Sequence, residues 1–141
     1  MKRLALVLAA FLVASGAFAQ SATEQFGAII TEASQAGWLQ INVENSFDFI
    51  EQVEPFLLDV RRQDEFDLGH IDFAVLIPVT ELADRLGELP ENKDTPMIIY
   101  CAAGTRGMWA LSLVKLAGYT NVRNMSGGFN AWKAAGLPIV D

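Results

Sequence analysis

Cys101 is the only cysteine among 141 residues, and Ala102-Ala103-Gly104-Thr105-Arg106-Gly107 follows it. A cysteine can be a nucleophile, a metal ligand, a disulfide partner or a small apolar filler. No second cysteine exists for an internal disulfide. His70 is the only histidine, and one Cys with one His makes a poor metal site. That leaves a reactive thiol, an intermolecular partner or buried filling. The residues after Cys101 favour the first. Small side chains and a glycine let successive backbone N–H groups turn toward one point as an anion-holding nest. The open N–H groups of a helix starting there point the same way, and Arg106 adds a full positive charge. Such a setting favours the thiolate, which is the form that attacks. The same cradle suits an anionic substrate with an electrophilic centre. Attack on sulfur gives a persulfide, and attack on phosphorus gives a cysteinyl phosphate.

The thiol needs a scaffold. "MIIYC" reads as an apolar strand ending at Cys101, and "TRGMWALSLVKLAGY" as a helix stopped by Gly118. Upstream, "LQINV" reads as a short strand, and "NSFDFIEQV" as a short helix capped by Asn45 or Ser46. "PFLLDV" is an apolar strand, and "RRQDEFDLGHID" a polar link with one helical turn. "AVLIP" is a strand, and "TELADRLGEL" a helix capped by Thr80. Downstream lie a strand "NVRNM" and a helix "GFNAWKAA". Strands alternating with helices predict an α/β fold with a five-stranded parallel sheet, and strands apolar throughout are buried on both faces. In such sheets ligand sites form at the carboxyl ends of strands, which is where Cys101 falls. Asp59 and Arg61 end another buried strand. They read as loop supports through hydrogen bonds and ion pairing, with Glu65 as a partner for Arg61. His70 reads as structural and Trp132 as core. Trp109 either walls the pocket or packs inward. Gly127 and Gly128 read as a backbone device at a strand–helix turn.

The N-terminus is a different object. Lys2 and Arg3 precede an apolar run from Leu4 to Val13, and small residues end in Ala17-Phe18-Ala19. This is the pattern of a secretory signal peptide over residues 1–19, cleaved after Ala19. The alternative, a membrane anchor, needs roughly 20 apolar residues, and Ser15-Gly16 interrupts the run. The protein is therefore expected to be exported, to the periplasm or beyond, and to meet membrane only through that signal. Residues 20–40 then form an N-terminal helical extension, with Thr23 as cap and Gly37 as stop. It either packs on the domain or docks a partner. Hydrophobic residues make up 52% and charged residues 19%, which is globular rather than disordered. Loss of Lys2 and Arg3 takes the formal net charge from −7 to −9. Such an acidic surface argues against nucleic acid and anionic lipid as partners. Any anion site must be built locally. In an oxidising compartment cysteines usually pair, so an unpaired one is flagged as reactive.

At this point the sequence resembles a known family, the rhodanese-type sulfurtransferases. "YCAAGTRG" is similar to their active-site loop, C-x-x-G-x-R. "LLDVRRQDEFDLGHIDFAVLIP" is similar to a first signature of D-V-R, then E-F, G-H-I, an alanine and a proline. "SGGFNAWKAAGLPIV" is similar to the C-terminal signature G-G-x-x-A-W followed by G-x-P. All three occur in the family's order, and the match spans Ile41 to Val140, within an expected domain of residues 41–141. The resemblance implies a three-layer α/β domain and makes Cys101 the persulfide-forming nucleophile. It implies that backbone from Ala102, Ala103, Gly104 and Thr105 through Arg106 to Gly107 cradles the reacting group, with Arg106 helping to bind an anionic donor such as thiosulfate. A thiol or cyanide would accept the sulfur, and no metal or organic cofactor is needed. Related cell-cycle phosphatases place five residues between Cys and Arg. Here there are four, a narrower ring suited to one sulfur rather than a phosphate. A persulfide relay for a protein partner, with little small-molecule turnover, is the other reading. Many family members carry Ser or Ala where this chain has Gly107, a departure the sequence leaves unexplained.

Overall fold

A computed structural model describes residues 21–35, 37 and 39–141. The expected signal peptide over residues 1–19 lies outside the described residues. The chain divides after Gln35, and Ala36–Asp141 form one compact unit. In the preceding unit residues 21–35 are helical. Helix is already present at residue 21, so Thr23 sits inside it and is not its cap. Gly37 lies beyond it with a φ of 59°, a conformation that glycine adopts at little cost.

Within Ala36–Asp141, five parallel strands form one sheet in the order β1-β5-β4-β2-β3: β1 (Gln40–Ile41), β2 (Phe56–Asp59), β3 (Val75–Leu76), β4 (Met97–Tyr100) and β5 (Val122–Met125). The central strands are apolar because both faces are covered. All four residues of β4 are buried, as are Leu57, Leu58 and Asp59 of β2. Helices α1 (Val43–Val53) and α4 (Gly128–Ala134) cover one face. Val43, Leu57, Ile98, Tyr100, Met125, Phe129 and Trp132 form a core cluster there. Alternation along the strands turns Leu58, Ile99 and Asn124 to the other face. There α3 (Thr105–Leu116) buries Gly107, Ala110, Leu111 and Val114. A short helix, α2 (Gln63–Asp67), follows β2.

Three expectations shift in position or type. Helix α1 starts at Val43 and is capped by Asn42, whose Oδ1 accepts the Asn45 N–H at 2.8 Å. Neither Asn45 nor Ser46 is the cap; Ser46 Oγ instead donates back to the Asn42 carbonyl at 2.7 Å. The early start shortens β1 to two residues. The helix expected from Thr80 is a series of turns ending in a 3-10 helix, Leu86–Glu88. Its bonds run mostly i to i+3, as from the Asp84 N–H to the Glu81 carbonyl. Gly87 weakens any α-helix there by about 1 kcal/mol, and Pro90 cannot continue it. Burial of both Leu82 and Leu89 holds the segment in its tighter path.

Candidate active site

The register brings three strand ends together. Asp59 pairs with Tyr100, and Ile99 pairs with Asn124, so the residues after β2, β4 and β5 meet at one edge. Cys101 follows β4 directly and is 1% exposed. Its Sγ accepts the Gly104 N–H at 3.1 Å. That geometry requires Gly104 to adopt φ 104°, a conformation open to glycine, at the N-cap of α3. Gly104 and Gly107 are buried, Arg106 is partly covered, and Ala103 and Thr105 are exposed. The exposed face of the loop is therefore backbone and small side chains, as a close-fitting cradle needs.

The loop is also held from behind. The Cys101 carbonyl accepts the Phe129 N–H at 2.7 Å, and the Ala102 carbonyl accepts the Asn130 N–H at 2.9 Å. Backbone can come this close only because residue 128 is glycine. A Cβ on Gly128 would lie 2.3 Å from the Cys101 carbonyl oxygen. This is the physical content of the Gly127-Gly128 pair.

Asp59 and Arg61 are buried together at the end of β2. Arg61 Nη2 meets Asp59 Oδ2 at 2.7 Å, and Arg61 also donates to the carbonyls of Gly69 at 2.9 Å and Glu65 at 3.1 Å. Its guanidinium lies 4.0 Å from the Phe129 ring centroid, a cation–π contact that ties the β2 loop to α4. The Glu65 carboxylate, expected on Arg61, belongs instead to Arg106. Arg106 Nη1 and Nη2 reach Glu65 Oε2 and Oε1 at 2.7 and 2.8 Å. The reason is local. Glu65 is the third residue of α2 and accepts the Arg62 backbone N–H at 3.0 Å, which aims its carboxylate out toward α3 while its carbonyl stays on Arg61. The Arg106 hydrogen bonds pull the Glu65 carboxyl down to about 2, and the same pair raises Arg106.

Gly107 turns inward rather than toward the cradle. A Cβ there would stand 2.0 Å from Asn124 Oδ1. Asn124 is 1% exposed, and its Nδ2 donates to the Gly104 carbonyl and to Gln40 Oε1, each at 3.2 Å. Its Oδ1 has no hydrogen-bond partner among the described residues. Asn124 thus holds the peptide of Gly104, the residue whose N–H meets the sulfur. Sequence reasoning missed it, although a lone amide in the strand "VRNM" was a visible signal. Trp109, 64% exposed, does not pack inward; it lines a groove with Gln40, Ala103, Thr105, Met108 and Ser126, to which Cys101 and Arg106 do not contribute. His70 stacks on Phe66 with centroids 3.7 Å apart and forms a backbone bridge with Val140, a structural role. Trp132 is buried and donates to the Pro138 carbonyl at 2.8 Å.

A parallel sheet that delivers one buried thiol to a backbone cradle at a helix N-terminus defines a cysteine-centred α/β domain. The chain belongs to the rhodanese-like domain family, whose model matches residues 44–135. It is 37% identical over 84 residues to a sulfurtransferase of Allochromatium vinosum, covering 60% of this chain and 77% of that protein. It is also 38% identical over 91 residues to the HTH-type transcriptional regulator Rv0324 of Mycobacterium tuberculosis, where the match covers 63% of this chain but only 39% of the longer relative. Among solved structures, it is similar to a rhodanese-related protein of Thermoplasma volcanium. That match has a TM-score of 0.65 and 29% identity, and it covers 72% of this chain and 96% of that one. The family match and the likeness to the Allochromatium vinosum protein support a sulfurtransferase-family role.

Proposed function

We propose that the protein transfers a sulfane sulfur through a persulfide on Cys101. The observation that carries this reading is the Gly104 N–H on Cys101 Sγ at 3.1 Å, at the head of a four-residue loop. The thiolate attacks the outer sulfur of a small donor, with thiosulfate as the reference case. The S–S bond breaks, its electron pair leaves with sulfite, and the added sulfur stays on Cys101. A thiol or cyanide then attacks that outer sulfur and regenerates the thiolate. The chain has no second cysteine, so an outside acceptor must take the sulfur. The Gly104 N–H holds the reacting sulfur. The same reading takes the protein to be exported by its first 19 residues, with residues 41–141 as the sulfurtransferase domain.

The test is an intact mass after incubation with millimolar thiosulfate or with an organic hydropersulfide, followed by cyanide and an assay for thiocyanate. A gain of one sulfur that Cys101→Ser abolishes, with turnover, is expected. A stable gain without turnover points to a persulfide relay for a protein partner. No gain from either donor refutes both.

A further inference from the structure

The charges around the cradle are already balanced. Arg61 is paired with Asp59, Arg62 with Asp64 at 2.8 Å, and Arg106 with Glu65 through both terminal nitrogens. Arg62 also approaches Glu65 at 3.6 Å. Three guanidinium groups therefore meet three carboxylates. What remains for a ligand is the partial charge of backbone N–H groups. Glu65 is also held from the other side, because it accepts the Arg62 backbone N–H at the start of α2 at 3.0 Å. A dianion entering the loop meets a carboxylate clamped on the loop's own arginine. It must either break a bidentate ion pair, which is the strong kind, or bind beside a like charge. A donor carrying one negative charge or none avoids most of that cost.

Resting on the persulfide chemistry proposed for Cys101, we infer that Glu65 is a specificity-determining residue that selects the donor by charge, favouring organic hydropersulfides over dianionic thiosulfate. In that reaction the Cys101 thiolate attacks the terminal sulfur of R–S–SH. The S–S bond breaks, R–S⁻ leaves with the electron pair, and Cys101 carries –S–SH. No outside oxidant or reductant takes part.

The experiment compares kcat/KM for thiosulfate and for cysteine hydropersulfide, with cyanide as acceptor, in the wild-type protein, Glu65→Gln and Glu65→Asp. The glutamine keeps an oxygen for the Arg62 N–H while removing the charge. In the wild type, thiosulfate should be the poorer donor by about tenfold or more. Glu65→Gln should lower the KM for thiosulfate about tenfold with kcat little changed, and leave the hydropersulfide within about twofold. Glu65→Asp, which keeps the charge, should retain the wild-type preference. An unchanged donor ratio in a folded Glu65→Gln overturns the inference. So does a wild-type protein that uses both donors equally, whether or not the variant folds. Failure of both donors to load Cys101 would instead refute the persulfide reading itself.

Discussion

Gly107→Ala should destabilise the protein, although alanine is the better helix former. Gly107 is the third residue of α3, where alanine favours the helix by about 1 kcal/mol. Against that stands Asn124. The new Cβ would lie 2.0 Å from its Oδ1 and 3.1 Å from its Cγ. Ordinary contact begins near 3.4 Å, so Oδ1 must retreat by about 1.4 Å. Asn124 is 1% exposed and cannot swing into solvent. Retreat also stretches its 3.2 Å bond to the Gly104 carbonyl. Overpacking of this kind costs ~1–3 kcal/mol, and a lost hydrogen bond ~1 kcal/mol. The net loss should be ~1–3 kcal/mol, read from urea denaturation, with slower sulfur loading of Cys101 because Gly104 carries the N–H that meets the sulfur. In an Asn124→Ala background the obstacle is gone. There Gly107→Ala should be neutral or stabilising by up to ~1 kcal/mol. The four proteins form a double-mutant cycle with a coupling of at least ~1 kcal/mol. Equal effects of Gly107→Ala in the two backgrounds, or stabilisation in the wild-type background, would refute the packing argument.

Two further outcomes follow from single contacts. The Glu65 carboxyl is held at about 2 rather than 4.5, mainly by the Arg106 hydrogen bonds. A depressed carboxyl stabilises the folded state above its unfolded value and loses that contribution as acid protonates it. The stability difference between wild type and Glu65→Gln should therefore be steady at neutral pH and shrink as pH falls from 4.5 toward 2, measured by urea midpoints; a flat difference across that window would contradict the pair. Asn42→Ala should cost ~1 kcal/mol, while Asn45→Ala should stay within about ±0.5 kcal/mol; the reverse ranking would show that the cap is misassigned.

The parts of this protein that sequence made legible are those governed by short-range rules. Apolar runs such as "MIIYC" announced buried parallel strands, and Gly104 next to a helical pattern announced the cradle. The misses share a cause, which is competition among neighbours. Asn42, Asn45 and Ser46 can all cap a helix, and only the sheet decides which one does. "TELADRLGEL" has helical periodicity, but anchoring Leu82 and Leu89 between two prolines selected tighter turns. Long-range partners were the least visible. Glu65 lies four residues from Arg61, so proximity in sequence suggested that pair, yet the direction imposed by the α2 cap sends its carboxylate to Arg106. Gly107 had no local explanation at all, because its reason is Asn124 on another strand.

The hold of α4 on the loop bears on the order in which the site comes into being. The strand and helix that flank Cys101 can form from nearby sequence, but the carbonyls of Cys101 and Ala102 find their donors only at Phe129 and Asn130. The cradle is complete only when that distant segment is in place. Until then the sulfur lacks its enclosure, and a half-folded chain carries a thiol open to any passing disulfide. Enclosure of the thiol therefore depends on contacts that reach across the sequence to α4.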